Sequence, residues 1–183
     1  ILITSNRKLL QESERLFRFL KKRKTAAGTN LKVNRLLVAQ FNLQRRFLEM
    51  IDREIEHAHK GLPAAITIKM NNLEEREFIT RLYEASRAGV NVSLIIRGIC
   101  CLVPGVKGLS ENIRVIRIID RFLEHARVFI FNNNNQPEVY LGSADWMIRN
   151  IYRRIEVCFP IDNQTMKSEV IGMVNLQLKD NVQ

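Results

Sequence analysis

Two short apolar runs with one amphipathic helix between them constrain this chain more than any other feature. Ala64–Met70 and Val90–Ile96 are strand-length and nearly uncharged, as buried strands are, and Leu73–Ala88 between them has helical periodicity closed by Gly89. That order predicts a parallel pair of strands joined by a right-handed crossover.

The rest of the chain extends the pattern. Residues 4–24 carry Leu9, Leu10, Leu16, Phe17 and Leu20 at near-helical spacing and end in Lys21-Lys22-Arg23-Lys24, so they predict an amphipathic helix broken by Thr25–Asn30. A short extended piece at Leu36–Val38 leads into a second helix over 43–60, with Phe47, Leu48, Ile51 and Ile55 on one face and Gly61 as its stop. Gly98–Ser110 holds three glycines and one proline, a length at which an irregular loop usually has a task, and is a candidate lid or binding loop. Ile113–Ile119, Ala126–Phe131 and Val139–Gly142 read as strands, with Asn132–Pro137 as a turn. Asp145 is placed to cap a short helix ending near Asn150, Arg154–Phe159 is a last strand and Asn163–Leu178 a closing helix. The sum is an α/β fold, a mixed sheet sandwiched by helices.

Composition narrows the partners. With 46% apolar residues in 183, the chain can bury one core. No stretch approaches the roughly eighteen apolar residues of a membrane-spanning helix, and the N-terminus lacks the order of a signal peptide, so a cytoplasmic protein is expected. The cysteines, Cys100, Cys101 and Cys158, lack metal-ligand spacing and read as reduced structural thiols. Lys and Arg outnumber Asp and Glu by 29 to 19, a formal charge of +10 that attracts polyanions. Nucleic acid, inorganic polyphosphate and nucleoside triphosphates all qualify, and composition does not choose among them.

Candidate chemistry is densest in Arg121-Phe-Leu-Glu-His125-Ala-Arg127 and Gly142-Ser-Ala-Asp145. The two-residue period of a strand puts His125, Arg127 and Phe129 on one side, a proton donor beside a fixed positive charge. Gly142, Ser143 and Ala144 ahead of a helix start would let a phosphate approach backbone N–H groups, and Arg149, Arg153 and Arg154 follow. Arg97 ends an apolar strand before the glycine-containing loop, at the end of an open α/β sheet where ligands bind. Its planar fork suits phosphate oxygens; its structural alternative is a salt bridge to a carboxylate such as Glu111. Lys69 occupies the analogous place one strand earlier, with the same two readings. His57 and His59, two apart on a helix, do not share a face and read as surface residues. Trp146 reads as a packing anchor, and neither Walker nor Rossmann glycine spacing occurs.

At these positions the sequence resembles a known family. The runs Leu36-Leu-Val-Ala-Gln-Phe-Asn-Leu43, Ile51-Asp-Arg-Glu-Ile-Glu-His57, Ile68-Lys-Met-Asn71, Leu82-Tyr-Glu-Ala-Ser86, Ala88-Gly-Val90, Arg97-Gly-Ile-Cys-Cys101, Gly108-Leu-Ser-Glu-Asn112, Arg121-Phe-Leu-Glu-His125 and Gly142-Ser-Ala-Asp-Trp-Met147 are similar to the last domain of bacterial polyphosphate kinases of the phospholipase D-like type. The resemblance implies reversible transfer of the terminal phosphate of ATP to polyphosphate, through a phosphohistidine and with Mg2+ whose ligands lie outside this chain. It implies that the residue matching His125 assists as acid or base and the one matching Arg97 binds ATP phosphates. Lys69, Arg127, Ser143 and Arg149 complete the expected ATP and phosphate-binding set around them. It also divides the chain into a helical lead-in at 1–30 and a catalytic domain at 31–183, part of an enzyme expected to be a homo-oligomer when full length.

The departures carry information too. The family's phosphorylated histidine lies in a His-x-Lys motif of a preceding domain, and here position 127 is arginine, so the covalent carrier is absent and the chain is expected to be an inactive fragment. Gln40, Asp120 and Ala126 stand where proline, glycine and serine are usual in the family. Two other readings remain: a phospholipase D-like phosphodiesterase half-site, and a non-catalytic polyanion-binding module supported by charge alone.

Overall fold

The computed structural model describes residues 2–22, 25, 26, 28–119 and 121–180. In chain order the elements are α1 (Arg7–Lys21), β1 (Leu37–Val38), α2 (Leu43–His59), β2 (Ala65–Met70), α3 (Arg76–Arg87), β3 (Asn91–Ile96), β4 (Ile113–Ile116), β5 (Arg127–Phe131), β6 (Glu138–Gly142), α4 (Ile148–Arg153), β7 (Val157–Pro160) and α5 (Gln164–Leu178). The strands form one seven-stranded sheet in the order β1-β7-β6-β5-β2-β3-β4. As the apolar runs predict, β2 and β3 are parallel, in register from Ala65↔Asn91 to Met70↔Ile96, with α3 as the crossover. β4 extends the parallel part, while β5, β6, β7 and β1 follow antiparallel. The sheet is mixed, as expected.

Alternation along the central strands builds two cores. Ile66, Ile68, Met70, Phe129 and Phe131 join α2 and α3 residues such as Phe47, Ile51, Phe78 and Leu82 on one face. Ile95, Val128, Ile130 and Val139 face the other way with Val174 of α5. Trp146 is the anchor the sequence suggests: fully buried and stacked on Phe78 with ring centroids 3.9 Å apart. A third cluster seats α1, whose Leu9, Leu16 and Phe19 meet Val33, Leu36 and Val38. There Glu12 is buried and accepts hydrogen bonds from the backbone N–H groups of Asn34, Arg35 and Leu36, which fixes the entry into β1.

Tertiary partners move several boundaries. α3 starts at Arg76, not Leu73, because the Glu75 carboxylate caps it by accepting from the Phe78 N–H at 2.9 Å. Leu73 instead bridges Cys100 and Trp146. α4 begins at Ile148 after Met147, so Asp145 is not its cap. β4 stops at Ile116 rather than running to Ile119, its last partner being Ile95 near the end of β3. The loop at 98–110 is pinned rather than free: buried Ser110 donates to the Val103 carbonyl and accepts from the Val106 N–H, and Tyr83 Oη accepts from the Val103 N–H. Gln40 takes a φ of +67°, which a proline ring forbids, and its N–H donates to the Ile151 carbonyl. A proline there requires a different local turn. Asp120 lies outside the described residues.

Gly142 has a packing reason that its sequence context does not reveal. A Cβ at this position would meet Cys158 Sγ at 2.1 Å and the Val157 carbonyl oxygen at 2.8 Å, because β7 crosses closely here. Gly142→Ala is therefore expected to lower stability by roughly 1–3 kcal/mol, the usual cost of overpacking, measured as a reduced urea midpoint at unchanged slope. An unchanged midpoint contradicts this packing.

Candidate functional site

The site lies where β2 and β3 end and β5 begins, since β5 runs antiparallel to β2. Its centre is Asp145, a residue only 4% exposed on the stretch after β6. One carboxylate oxygen accepts from the Asn71 backbone N–H at 2.9 Å, the Asn71 side-chain amide at 3.3 Å and Arg127 Nε at 3.1 Å. The other accepts from Arg127 Nη2 at 3.2 Å and the Asn72 amide at 3.3 Å. Burial pushes the carboxyl pKa up, but the Arg127 hydrogen bonds and charge and the Asn71 donors outweigh it, so the net shift is down.

From this centre two arms reach the predicted residues. On one side, Arg127 Nη1 lies 3.0 Å from His125 Nδ1 and donates to the His125 carbonyl at 2.9 Å. β5 begins only at Arg127, so His125 lies outside the strand, and the two are joined by these contacts rather than by the strand period, with His125 exposed. On the other side, Asn71 Oδ1 accepts from Arg97 Nε at 2.7 Å. Arg97 has no carboxylate partner among the described residues, and Glu111, its supposed counter-ion, accepts instead from the Gly108 N–H. A continuous hydrogen-bonded chain, His125–Arg127–Asp145–Asn71–Arg97, therefore joins the two at one end of the sheet.

Other predicted residues do not join it. The Lys69 side chain is buried on the α5 side, where Nζ pairs with Glu124 and donates to Gln177 Oε1 at 2.8 Å. Its visible role is to anchor the residue preceding His125. The phosphate cradle expected at Gly142–Ala144 is absent: α4 starts too late to aim its N-terminus there, and the Ser143 and Asp145 N–H groups donate to the Val157 carbonyl and to Asn150. Ser143 Oγ accepts from the Val157 N–H, and Arg149 is exposed on α4. His59 is exposed, as expected, whereas His57 is half-buried.

The important residues that sequence reasoning missed are Asn71 and the true task of Asp145. Two asparagines directly after an apolar strand, at its carboxyl end, were the available signal. Among the described residues no group of three His, Cys, Asp or Glu side chains is placed to hold a metal ion. The donors around Asp145 already surround both of its oxygens, so these residues do not fit Mg2+.

The fold is an α/β sandwich of the phospholipase D-like kind. Nuc from Salmonella typhimurium, a phospholipase D family member, superposes with a TM-score of 0.55 at 13% identity over 76% of this chain and 91% of its own, a likeness of fold alone. Residues 36–183 match the family model described as polyphosphate kinase C-terminal domain 2, and the chain belongs to that family. The polyphosphate kinase of Vibrio parahaemolyticus is 44% identical over 99% of this chain and 25% of its own length. The crystal structure of polyphosphate kinase from Porphyromonas gingivalis matches with a TM-score of 0.91 at 42% identity, over 98% of this chain and 27% of that one. The chain thus spans about a quarter of the length of these relatives.

Because the folded pKa of Asp145 is depressed, its contribution to stability is present above the unfolded value of 3.8 and lost as pH falls through the folded value. Asp145→Asn is expected to melt lower at neutral pH and to lose less stability on acidification than the parent. Parallel acid limbs in thermal melts of the two proteins would contradict this linkage.

Proposed function

We propose that this chain is the C-terminal catalytic part of an ATP:polyphosphate phosphotransferase. The observation that carries the reading is the chain of contacts from His125 to Arg97, which sets an imidazole and a guanidinium without a carboxylate partner among the described residues at the same sheet end. Membership of the polyphosphate kinase family supports the substrate class.

Phosphoryl transfer requires positioning and positive charge more than covalent help from the protein. Arg97 has only Nε engaged by Asn71, and its two terminal amino groups make a fork for phosphate oxygens of ATP. His125 supplies or takes a proton as an oxygen on the moving phosphate changes partners. Arg127 is the bracket between His125 and Asp145. Lys69 reaches a phosphate only by releasing Glu124, and Ser143 and Arg149 serve as outer contacts for a long anionic chain.

The covalent phosphohistidine belongs, on this reading, to another part of a longer polypeptide, as do any protein ligands of Mg2+. Residues 1–30 form the lead-in from that part and 31–183 the domain itself. The working enzyme is a cytoplasmic homo-oligomer, and this chain alone is inactive. Among the described residues no helix is long and apolar enough to cross a membrane. The phosphodiesterase alternative has only the likeness of fold behind it, and the polyanion-binding module only the charge of +10.

In the full-length kinase, His125→Ala is expected to lower kcat by about 10²–10⁴-fold with little change in nucleotide affinity. Arg97→Ala is expected to raise the KM for ATP by roughly ten- to a hundredfold, the worth of a charge-assisted hydrogen bond. Steady-state polyphosphate synthesis measures both. Unchanged turnover removes His125 from the chemistry, and robust synthesis by the isolated chain overturns the need for a carrier elsewhere.

A further inference from the structure

The guanidinium of Arg127 faces two ways at once. Its Nε and Nη2 lie side-on to the two oxygens of Asp145, and its Nη1 faces both the carbonyl and the ring Nδ1 of His125. Guanidinium nitrogens only donate, so at 3.0 Å the ring nitrogen must be the acceptor. A neutral imidazole has one N–H, and with Nδ1 accepting, that hydrogen resides on Nε2.

We propose that Asp145 is a positioning residue for the phosphoryl transfer, acting through Arg127 to hold the His125 ring in the tautomer whose proton sits on the outward-facing Nε2. This deepens the kinase reading and rests on it. Three observations beyond the contact itself support it. Asp145 is buried and restrained by Asn71 and Asn72, so the carboxylate cannot follow Arg127 if the guanidinium moves. The second Nη1 contact, to the His125 carbonyl, ties the bracket to the backbone that sets the ring's origin. The neighbouring Glu124 is held by Lys69 and Gln177, so the segment entering His125 is fastened from the opposite face of the sheet as well.

The chemical consequence separates two roles that histidine can play. In this tautomer Nε2–H donates a hydrogen bond to a phosphate oxygen and has no lone pair for attack on phosphorus. Moving the proton to Nδ1 would set an N–H against the Arg127 N–H. The neutral ring therefore holds a phosphate oxygen by a hydrogen bond and keeps its proton, since losing it would leave an imidazolate; full proton transfer requires Nδ1 first to take up a second proton and release Arg127.

The test reads the tautomer directly. The chain has three histidines, so ring nitrogen–hydrogen correlation spectra of the 15N-labelled protein, above the pH at which the imidazoles titrate, resolve His125 after assignment with His125→Gln. The expected result is an Nε2–H pattern at His125 in the parent and a mixed or Nδ1–H pattern in Asp145→Asn. Arg127→Lys, which keeps the charge but loses the planar fork, is expected to do the same and serves if Asp145→Asn does not fold. In the full-length enzyme, Asp145→Asn should lower kcat at least about tenfold and by a larger factor than it raises the KM for ATP, because the asparagine carbonyl still accepts from the Asn71 N–H that leads to Arg97 while the charge facing Arg127 is lost. An Nδ1–H ring in the parent overturns the proposal outright, and so does a folded variant that keeps the Nε2–H pattern and the parent kcat. A full-length protein without ATP-dependent transfer would instead sink the kinase reading, and the spectra would still decide the tautomer.

Discussion

One buried carboxylate organises the functional end of this molecule. Asp145 sits on the stretch after β6, yet its acceptors are filled from the turn after β2 and from the start of β5. Two other pieces of chain are drawn to its two oxygens, and what each piece carries beyond them follows: Arg97 through Asn71, and His125 through Arg127. A buried charge is tolerable only when it is matched and hydrogen-bonded, so the site cannot loosen at one strand without leaving a partner exposed to the cost at another. Gly98 belongs to the same constraint, since a Cβ there would meet Asn72 Oδ1 at 2.6 Å and displace one of the donors.

Most of the fold was legible in the sequence because periodicity reports burial. The runs that became β2 and β3 are apolar on both faces because one face meets α2 and α3 and the other α5. Element ends were less legible, and each error has a tertiary cause. Leu73 looks like the first apolar position of a helix, yet it lies in a bridge between two loops, and Glu75 supplies the cap. Asp145 before a short helical segment looks like a cap, but a partner 18 residues away in sequence claimed its oxygens. No local pattern encodes that competition.

The site was legible where a local rule applied and illegible where the partner was remote. His125 and Arg127 do meet, but His125 precedes β5, so the contact comes from the stretch entering the strand and not from the period of two. The strand-end argument places Arg97 at the sheet end and leaves Lys69 two readings, of which the structure shows the carboxylate pairing, although both precede turns at neighbouring strand ends. Register explains the difference: Lys69 pairs with Ile95 and Val128, inside the sheet, whereas Arg97 lies beyond the last paired residue, Ile96. An ammonium two residues deeper must find its counter-charge within the fold, and Glu124 provides it. Gly142 and Ser143 misled for another reason, because smallness was read as room for a ligand when β7 already occupied that room.

The distinction between gross and local charge completes the argument. The excess of +10 says little about the site, because many arginines are paired along helices, as Arg18 with Glu14 and Arg81 with Glu84 are. Such exposed pairs contribute little to stability and nothing to selectivity. At the sheet end the arithmetic is local: Arg127 is balanced by Asp145, Lys69 by Glu124, and among the described residues Arg97 meets an amide and no carboxylate. A guanidinium held by an amide in this way attracts an anion to one place, where a diffuse positive surface would hold it anywhere. On the proposed reading that place is beside a ring whose N–H faces the anion, and the chain contributes a grip and a hydrogen-bond donor while the group that carries phosphate must approach from elsewhere.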